Sequence, residues 1–194
     1  LQEAWHLSFP QVLHLGNRII LSVESIESGK YSLYECIDFP TKWVRLPAVY
    51  DEPLTDPSVV EFEGLWFAVG TMKRDLVVLQ LAENLTEVKT MHAVSNKDQR
   101  TRMGGHFFWH KGTLFRPSQR NKPDYGFCLD LHRVEQLRPN EYREEEVMAP
   151  YLPRFGAFDE DEWSRRIHHL QLSESNTGER QGVIDGRDRW GLFG

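Results

Sequence analysis

Phe9-Pro-Gln-Val-Leu-His-Leu-Gly-Asn-Arg-Ile-Ile-Leu-Ser-Val-Glu24, Asp56-Pro-Ser-Val-Val-Glu-Phe-Glu-Gly-Leu-Trp-Phe-Ala-Val-Gly70 and Gly104-Gly-His-Phe-Phe-Trp-His-Lys-Gly-Thr-Leu-Phe-Arg-Pro-Ser-Gln119 are three versions of one pattern. Each has a short apolar run, a tight turn at Gly16-Asn17, Gly64 or Gly112, and a second apolar run. That is the signature of a β-hairpin, and its return at a step of about 48 residues matches the spacing of propeller blades. A propeller gathers the heads of its innermost strands around one funnel. Glu24, Asp56 and Arg116, far apart in sequence, are therefore expected to meet there.

Working outward, the strands fall into groups of four. The first group is Gln11–Leu15, Arg18–Glu24, Tyr31–Ile37 and Trp43–Tyr50; the second is Ser58–Phe62, Leu65–Thr71, Asp75–Leu81 and Val88–Val94. The third is His106–Trp109, Thr113–Pro117, Gly126–Val134 and Tyr142–Val147. Turns rich in Gly, Asn, Asp and Pro join them, as in an antiparallel meander. Leu65-Trp-Phe-Ala-Val69 is apolar on both faces, which suits a strand packed between neighbouring blades. Arg143-Glu-Glu-Glu146 reads as a solvated outer strand. After Val147 the rhythm changes. Met148–Asp161 reads as an insertion loop and Asp161–Ile167 as a helical turn or two. His168–Glu174 and Gln181–Asp185 then make a fourth, incomplete hairpin, and Gly186–Gly194 has no assignment. The fold class is all-β: about three and a half to four propeller blades in one domain spanning residues 1–194.

The hydrophobic fraction of 40% and aromatic fraction of 12% describe a folded chain able to build a core. A net charge of −6 gives no general affinity for nucleic acid. No apolar run approaches the ~18–20 residues that span a bilayer, and no signal peptide opens the chain. Compartment is not legible. The two cysteines, Cys36 and Cys128, lie in separate strands without metal-type spacing and read as buried thiols. His6, His106 and His110 show no metal spacing either, and no phosphate loop or nucleophile elbow is present, so neither metal nor cofactor is expected.

Several polar residues stand out against apolar surroundings. Asp56 heads an inner strand, where its carboxylate suits sugar hydroxyls or the tuning of a partner's pKa; the plainer reading is an Asp that opens a turn. Glu24 closes an apolar strand, so it is either placed in a cleft, as a candidate acid, or exposed at the strand end. Arg116, between Phe115 and Pro117, needs a bidentate acceptor, either a phosphate or acidic sugar or an internal carboxylate such as Asp56 or Glu24. Arg102 lies in a loop, and Gln119 offers an amide suited to hydroxyls. His168 and His169 are adjacent, so in a strand only one faces the funnel. Trp5, Trp66 and Trp109 are the candidate platforms for a sugar ring.

These residues also carry a family resemblance. His6-Leu-Ser-Phe-Pro10, Ile19-Ile-Leu-Ser-Val-Glu-Ser25, Asp56-Pro-Ser-Val59 and Gly64-Leu-Trp-Phe67 resemble blades of the propeller-like N-terminal region of glucosamine inositolphosphorylceramide transferases and their bacterial relatives. The most specific part is Arg102-x-Gly-Gly105 followed by Arg116-Pro-Ser-Gln119 and Tyr125-Gly126. Val134-Glu-x-Leu-x-Pro-x-x-Tyr142, His168-His-Leu170 and Val183-Ile-Asp-Gly186 continue the match over nearly the whole chain. Val23 departs from the pattern, which has Pro there. The resemblance implies a five-bladed propeller of the arabinanase and invertase type, in a longer protein that carries a transferase domain. It also implies a preceding blade, which is not seen ahead of His6 and which holds a general-base Asp in the glycosidases.

Three functions follow as expectations. The first is a carbohydrate-active module of a glycosyltransferase-like protein, binding a glycan or glycolipid head group in the funnel. The second is a glycoside hydrolase, which needs two carboxylates roughly 5–9.5 Å apart. The third is a non-catalytic scaffold. Fold alone does not choose among them.

Overall fold

The computed structural model describes residues 1–94, 100–121, 127–151, 167–174 and 180–186. Among them the only helix is a short 3-10 turn, Ile26–Ser28. The strands are β1 (Ser8–Leu15), β2 (Arg18–Glu24), β3 (Tyr31–Asp38), β4 (Lys42–Tyr50), β5 (Thr55–Phe62), β6 (Leu65–Met72), β7 (Asp75–Leu81) and β8 (Val88–Val94). They continue with β9 (Phe108–His110), β10 (Thr113–Arg120), β11 (Cys128–Arg138), β12 (Glu141–Tyr151), β13 (Ile167–Glu174) and β14 (Arg180–Gly186). Strands β1–β4, β5–β8 and β9–β12 form three four-stranded antiparallel sheets in sequence order, and β13 pairs with β14 alone. These are the propeller blades and the partial fourth hairpin expected from the repeat.

The turns explain why the hairpins close where they do. Glu63 and Gly64 sit at φ 50 and 78, and Lys111 and Gly112 at φ 50 and 73. Two successive residues at positive φ are what a type I′ turn requires, and its twist matches that of the flanking strands.

The chain divides into two compact units, Leu1–Arg102 with Gln136–Arg143, and Met103–Glu135 with Glu144–Gly194. In the first unit, two sheets pack on one core. Ile20, Tyr31, Leu33 and Val49 of the first sheet meet Val59, Ala68, Val77, Leu79 and Leu81 of the second, with Leu54 and Leu85 from the connections. Full burial of each large aliphatic side chain contributes about 1.5–3 kcal/mol. A polar clip adds register to this apolar contact. The Gln11 carboxamide donates to the Val59 carbonyl at 2.8 Å and accepts from the Val59 N–H at 2.7 Å, so it stands in for a strand at the edge of β5.

β1 and β5 share a second feature. The register slips between Ser8 and Gln11 in β1, and between Thr55 and Ser58 in β5. In both cases an X-Pro pair, Phe9-Pro10 or Asp56-Pro57, stands opposite a single partner residue, Val23 or Gly70, and the residue before proline lies at positive φ, 53 for Phe9 and 49 for Asp56. Proline cannot donate to the ladder, so it is admitted at a bulge. Gly70 faces the second bulge; a Cβ there would stand 3.0 Å from the Thr55 carbonyl oxygen.

In the second unit, the segment before β9 does not pair as a regular strand. The ladder starts at Phe108, not at His106. Gly105 adopts φ 149, and a Cβ on it would collide with the Leu170 backbone of β13. The Leu170 N–H donates to the Gly104 carbonyl at 2.6 Å, so β13 runs against this glycine pair. β12 continues to Tyr151, past the break expected at Val147. The helical turn expected at 161–167 falls mostly on 152–166, outside the described residues, as do Tyr125-Gly126 and the tail beyond Gly186.

The Gln11 clip makes a direct prediction. Gln11→Ala leaves the backbone N–H and C=O of Val59 without this partner and lowers the unfolding free energy by about 1–3 kcal/mol. Urea denaturation with an unchanged m value checks it; a shift within error would mean that the clip contributes nothing net.

Candidate functional site

In the first unit the sequence candidates Glu24, Asp56 and Arg102 come together. The bulge turns the Asp56 N–H away from β6, and it donates to Glu24 Oε2 at 2.6 Å. Ser8, directly opposite Glu24 in the β1–β2 register, donates its hydroxyl to Glu24 Oε1 at 3.2 Å. Arg102 Nε donates to Asp56 Oδ2 at 2.8 Å. The Asp56 side chain is 7% exposed while that of Arg102 is 32% exposed, so the pair has a buried carboxyl and a cation that reaches solvent.

Burial pushes the Asp56 carboxyl up to about 6; the Arg102 guanidinium pulls it down, and the Glu24 carboxylate adds to the rise. Taking a carboxylate out of water disfavours its charged form, and a second carboxylate nearby does the same. The cluster therefore holds a group that exchanges a proton close to neutral pH beside a cation. Such a set can bind hydroxyls through Asp56 and an anion through Arg102.

The other candidates belong to the second unit. Arg116 is fully buried, and its fork engages Glu144, Nε to Oε2 at 2.6 Å and Nη2 to Oε1 at 2.5 Å. Glu144 is thus an internal carboxylate acceptor for this guanidinium within the second unit. This also corrects the reading of Arg143–Glu146 as wholly solvated. Arg143, Glu145 and Glu146 are exposed, but Glu144 alternates inward and is only 14% exposed. His132, opposite Arg116 in the β10–β11 register, places Nδ1 3.6 Å from Glu144 Oε1 and Nε2 2.8 Å from Ser118 Oγ. Gln119 is buried, its amide donating to the Met103 carbonyl at 2.8 Å. The His169 ring meets His106 edge-on with centroids 5.9 Å apart; the side chain of His168 lies outside the described residues.

Sequence reasoning missed Ser8, Ser118, Asp130, His132 and Glu144. The buried face of β11 is Cys128, Asp130, His132 and Val134, a mixed polar stripe that conceals its own burial. Asp130 is buried because Arg120 forks onto it at 2.7 and 3.0 Å. The three aromatic candidates have different surroundings. Trp66 packs against the core of the first unit, Arg45 covers Trp5 at 4.9 Å, and Trp109 is exposed. Among the described residues no group of three or more His, Cys, Asp or Glu is placed to hold a metal, and no helix is long and apolar enough to cross a membrane.

Comparison with known proteins places this arrangement in context. Residues 1–187 match the family described as glucosamine inositolphosphorylceramide transferase 1, N-terminal. The chain is 29% identical over 199 residues to the glucosamine inositolphosphorylceramide transferase 1 of Arabidopsis thaliana, and 29% identical over 200 residues to that of Oryza sativa subsp. indica. Each alignment covers 96% of this chain and 26% of the relative, so the chain spans about a quarter of the length of these relatives. Among solved structures, the endo-1,4-beta-xylanase of Bacteroides thetaiotaomicron aligns with a TM-score of 0.68 at 11% identity, over 96% of this chain and 67% of that one. The GH43 protein BlXynB of Bacillus licheniformis aligns with a TM-score of 0.65 at 15% identity, over 95% of this chain and 37% of that one. At such identities these likenesses establish the fold alone.

Two predictions test the electrostatics. A carboxyl whose folded pKa lies above its unfolded value keeps its proton more readily in the folded state. Its contribution is most favourable below the unfolded value and is lost as pH rises from about 4 to about 6. Asp56→Asn removes that loss. Its stability relative to wild type therefore improves between about pH 4 and pH 7, by up to about 3 kcal/mol, in urea denaturation at the two pH values. A difference independent of pH would show that Asp56 titrates normally. For the second unit, Arg116→Met strands a buried charge on Glu144 and lowers stability by about 3–5 kcal/mol, and adding Glu144→Leu restores much of it. A double-mutant cycle with additive losses would refute the coupling.

Proposed function

The chain belongs to the glucosamine inositolphosphorylceramide transferase 1 N-terminal family, and from that premise we propose that it is a carbohydrate-binding propeller module that presents Asp56 and Arg102 to the head group of a glycolipid. The relatives are named for glucosamine and for an inositolphosphorylceramide, chemistry that combines sugar hydroxyls with a phosphate. The observation that carries the reading is the Asp56–Arg102 pair, where a buried carboxyl near neutral titration adjoins a partly exposed guanidinium. Hydroxyl recognition suits the first group and phosphate recognition the second.

Glu24 supports Asp56 in this reading. Arg116 and Gln119 act from within the second unit, since both side chains are buried on protein partners. His168 and His169, both in β13, are secondary candidates for hydroxyl contact. Transfer of a sugar, where it occurs, is assigned to other parts of a longer polypeptide. The alternative is hydrolysis, and the closeness of the two carboxyl groups is what favours it; yet Glu24 is engaged by two protein donors, which suits support better than acid catalysis.

The test has two arms. The purified chain should bind vesicles that contain inositolphosphorylceramide and ignore vesicles of the same lipid without that head group. Arg102→Ala should weaken this by about tenfold or more with the fold intact, the scale of a lost charged hydrogen bond. On aryl glycosides, turnover should be no better than that of the Glu24→Ala, Asp56→Ala double variant. Equal binding to both vesicle types would sink the proposal, and robust turnover abolished by the double variant would put the hydrolase in its place.

A further inference from the structure

We propose that Glu24 is a positioning residue, whose carboxylate fixes the backbone of Asp56 and acts on ligand through that residue and not by contact. This deepens the functional reading and rests on it for the ligand, though not for the geometry.

The backbone comes first. Asp56 has φ 49, a left-handed conformation that an L-residue other than Gly seldom adopts, and the following Pro57 disfavours compact conformations further. A residue in such a state persists only where its surroundings over-determine it. Here the bulge between Thr55 and Ser58 takes the Asp56 N–H out of register, and Glu24 Oε2 receives it at 2.6 Å. Glu24 is held in turn. It stands across from Ser8 in the β1–β2 ladder, and the Ser8 hydroxyl donates to Oε1 at 3.2 Å. Both oxygens of Glu24 thus receive protein donors, one from each bulge region, and the carboxylate ties the head of β1 to the head of β5.

Charge follows from the same contacts. Burial raises the Asp56 carboxyl most, and the charged groups acting on it include Arg102 from the segment beyond β8 and Glu24 from β2. They oppose one another, and Glu24 favours the protonated form of Asp56. Glu24 thereby aims Asp56 and, in addition to burial, raises the pH at which it ionises beside Arg102.

Glu24→Gln separates these roles, because the amide oxygen still accepts the Asp56 N–H while the charge is gone. Titration of the Asp56 carboxyl by NMR should show a midpoint that falls from about 6 toward the ordinary carboxylate range. At pH 8, where Asp56 is ionised in either protein, binding to inositolphosphorylceramide vesicles should stay within about twofold of wild type, whereas direct contact would cost about tenfold or more. Glu24→Ala, which removes the acceptor, should displace the Asp56 amide resonance and weaken binding at every pH. If Glu24→Gln does not fold, Ser8→Ala loosens the same carboxylate without touching Asp56 and should lower the midpoint by a smaller amount. An unmoved midpoint in the folded variant overturns the inference, and so does a tenfold loss of binding at pH 8. A wild-type chain that binds no vesicle sinks the functional reading alone, since the Asp56 midpoint still decides whether Glu24 positions it.

Discussion

The hydrogen bond from the Asp56 N–H to Glu24 is the constraint from which the rest of the candidate site follows. Pro57 removes a donor from β5 and forces the bulge; the bulge puts Asp56 at positive φ; the displaced N–H needs an acceptor, and β2 ends on one. A buried N–H without a partner is expensive, so the end of one blade and the start of the next are coupled by necessity. Once the backbone is held this way, the Asp56 carboxyl is buried, and Arg102 is the cation that makes its ionised form tolerable.

The two units use the same chemical pair in different ways. In the second, Arg116 is wholly buried and forks onto Glu144, whose side chain is only 14% exposed, so the cation is closed to solvent. Such a pair adds little net stability over an apolar filling, but losing one member is costly, and its geometry ties β10 to β12. In the first unit the carboxyl is buried and the guanidinium is a third exposed. That asymmetry leaves the cation partly in contact with solvent beside the aimed carboxyl, which is the difference between an internal brace and a place where a ligand's anion can compete.

Most of the fold was legible because it is written in local chemistry repeated at a fixed step. Gly64 and Gly112 fix their turns by backbone freedom, and apolar runs on either side define the strands. Asp56 stood out for the same reason, as a charged residue heading an apolar strand. The partners were harder to see. Glu144 sits among exposed charges, and nothing local distinguishes it from Glu145; only the fork from buried Arg116 shows which one turns inward. Ser8 is likewise inconspicuous until pairing places it across from Glu24. The X-Pro pairs at 9–10 and 56–57 were the one unread local signal, since a proline at the head of an inner strand announces a bulge.

The most direct measurement is a titration of isotopically labelled protein with vesicles containing inositolphosphorylceramide, following the Asp56 amide and the Arg102 Nε–H by NMR. The account predicts saturable shifts at these two groups that are absent with vesicles lacking the head group, while the Val59 amide held by Gln11 stays in place. Shifts confined to other parts of the chain, or none that depend on the head group, would contradict it.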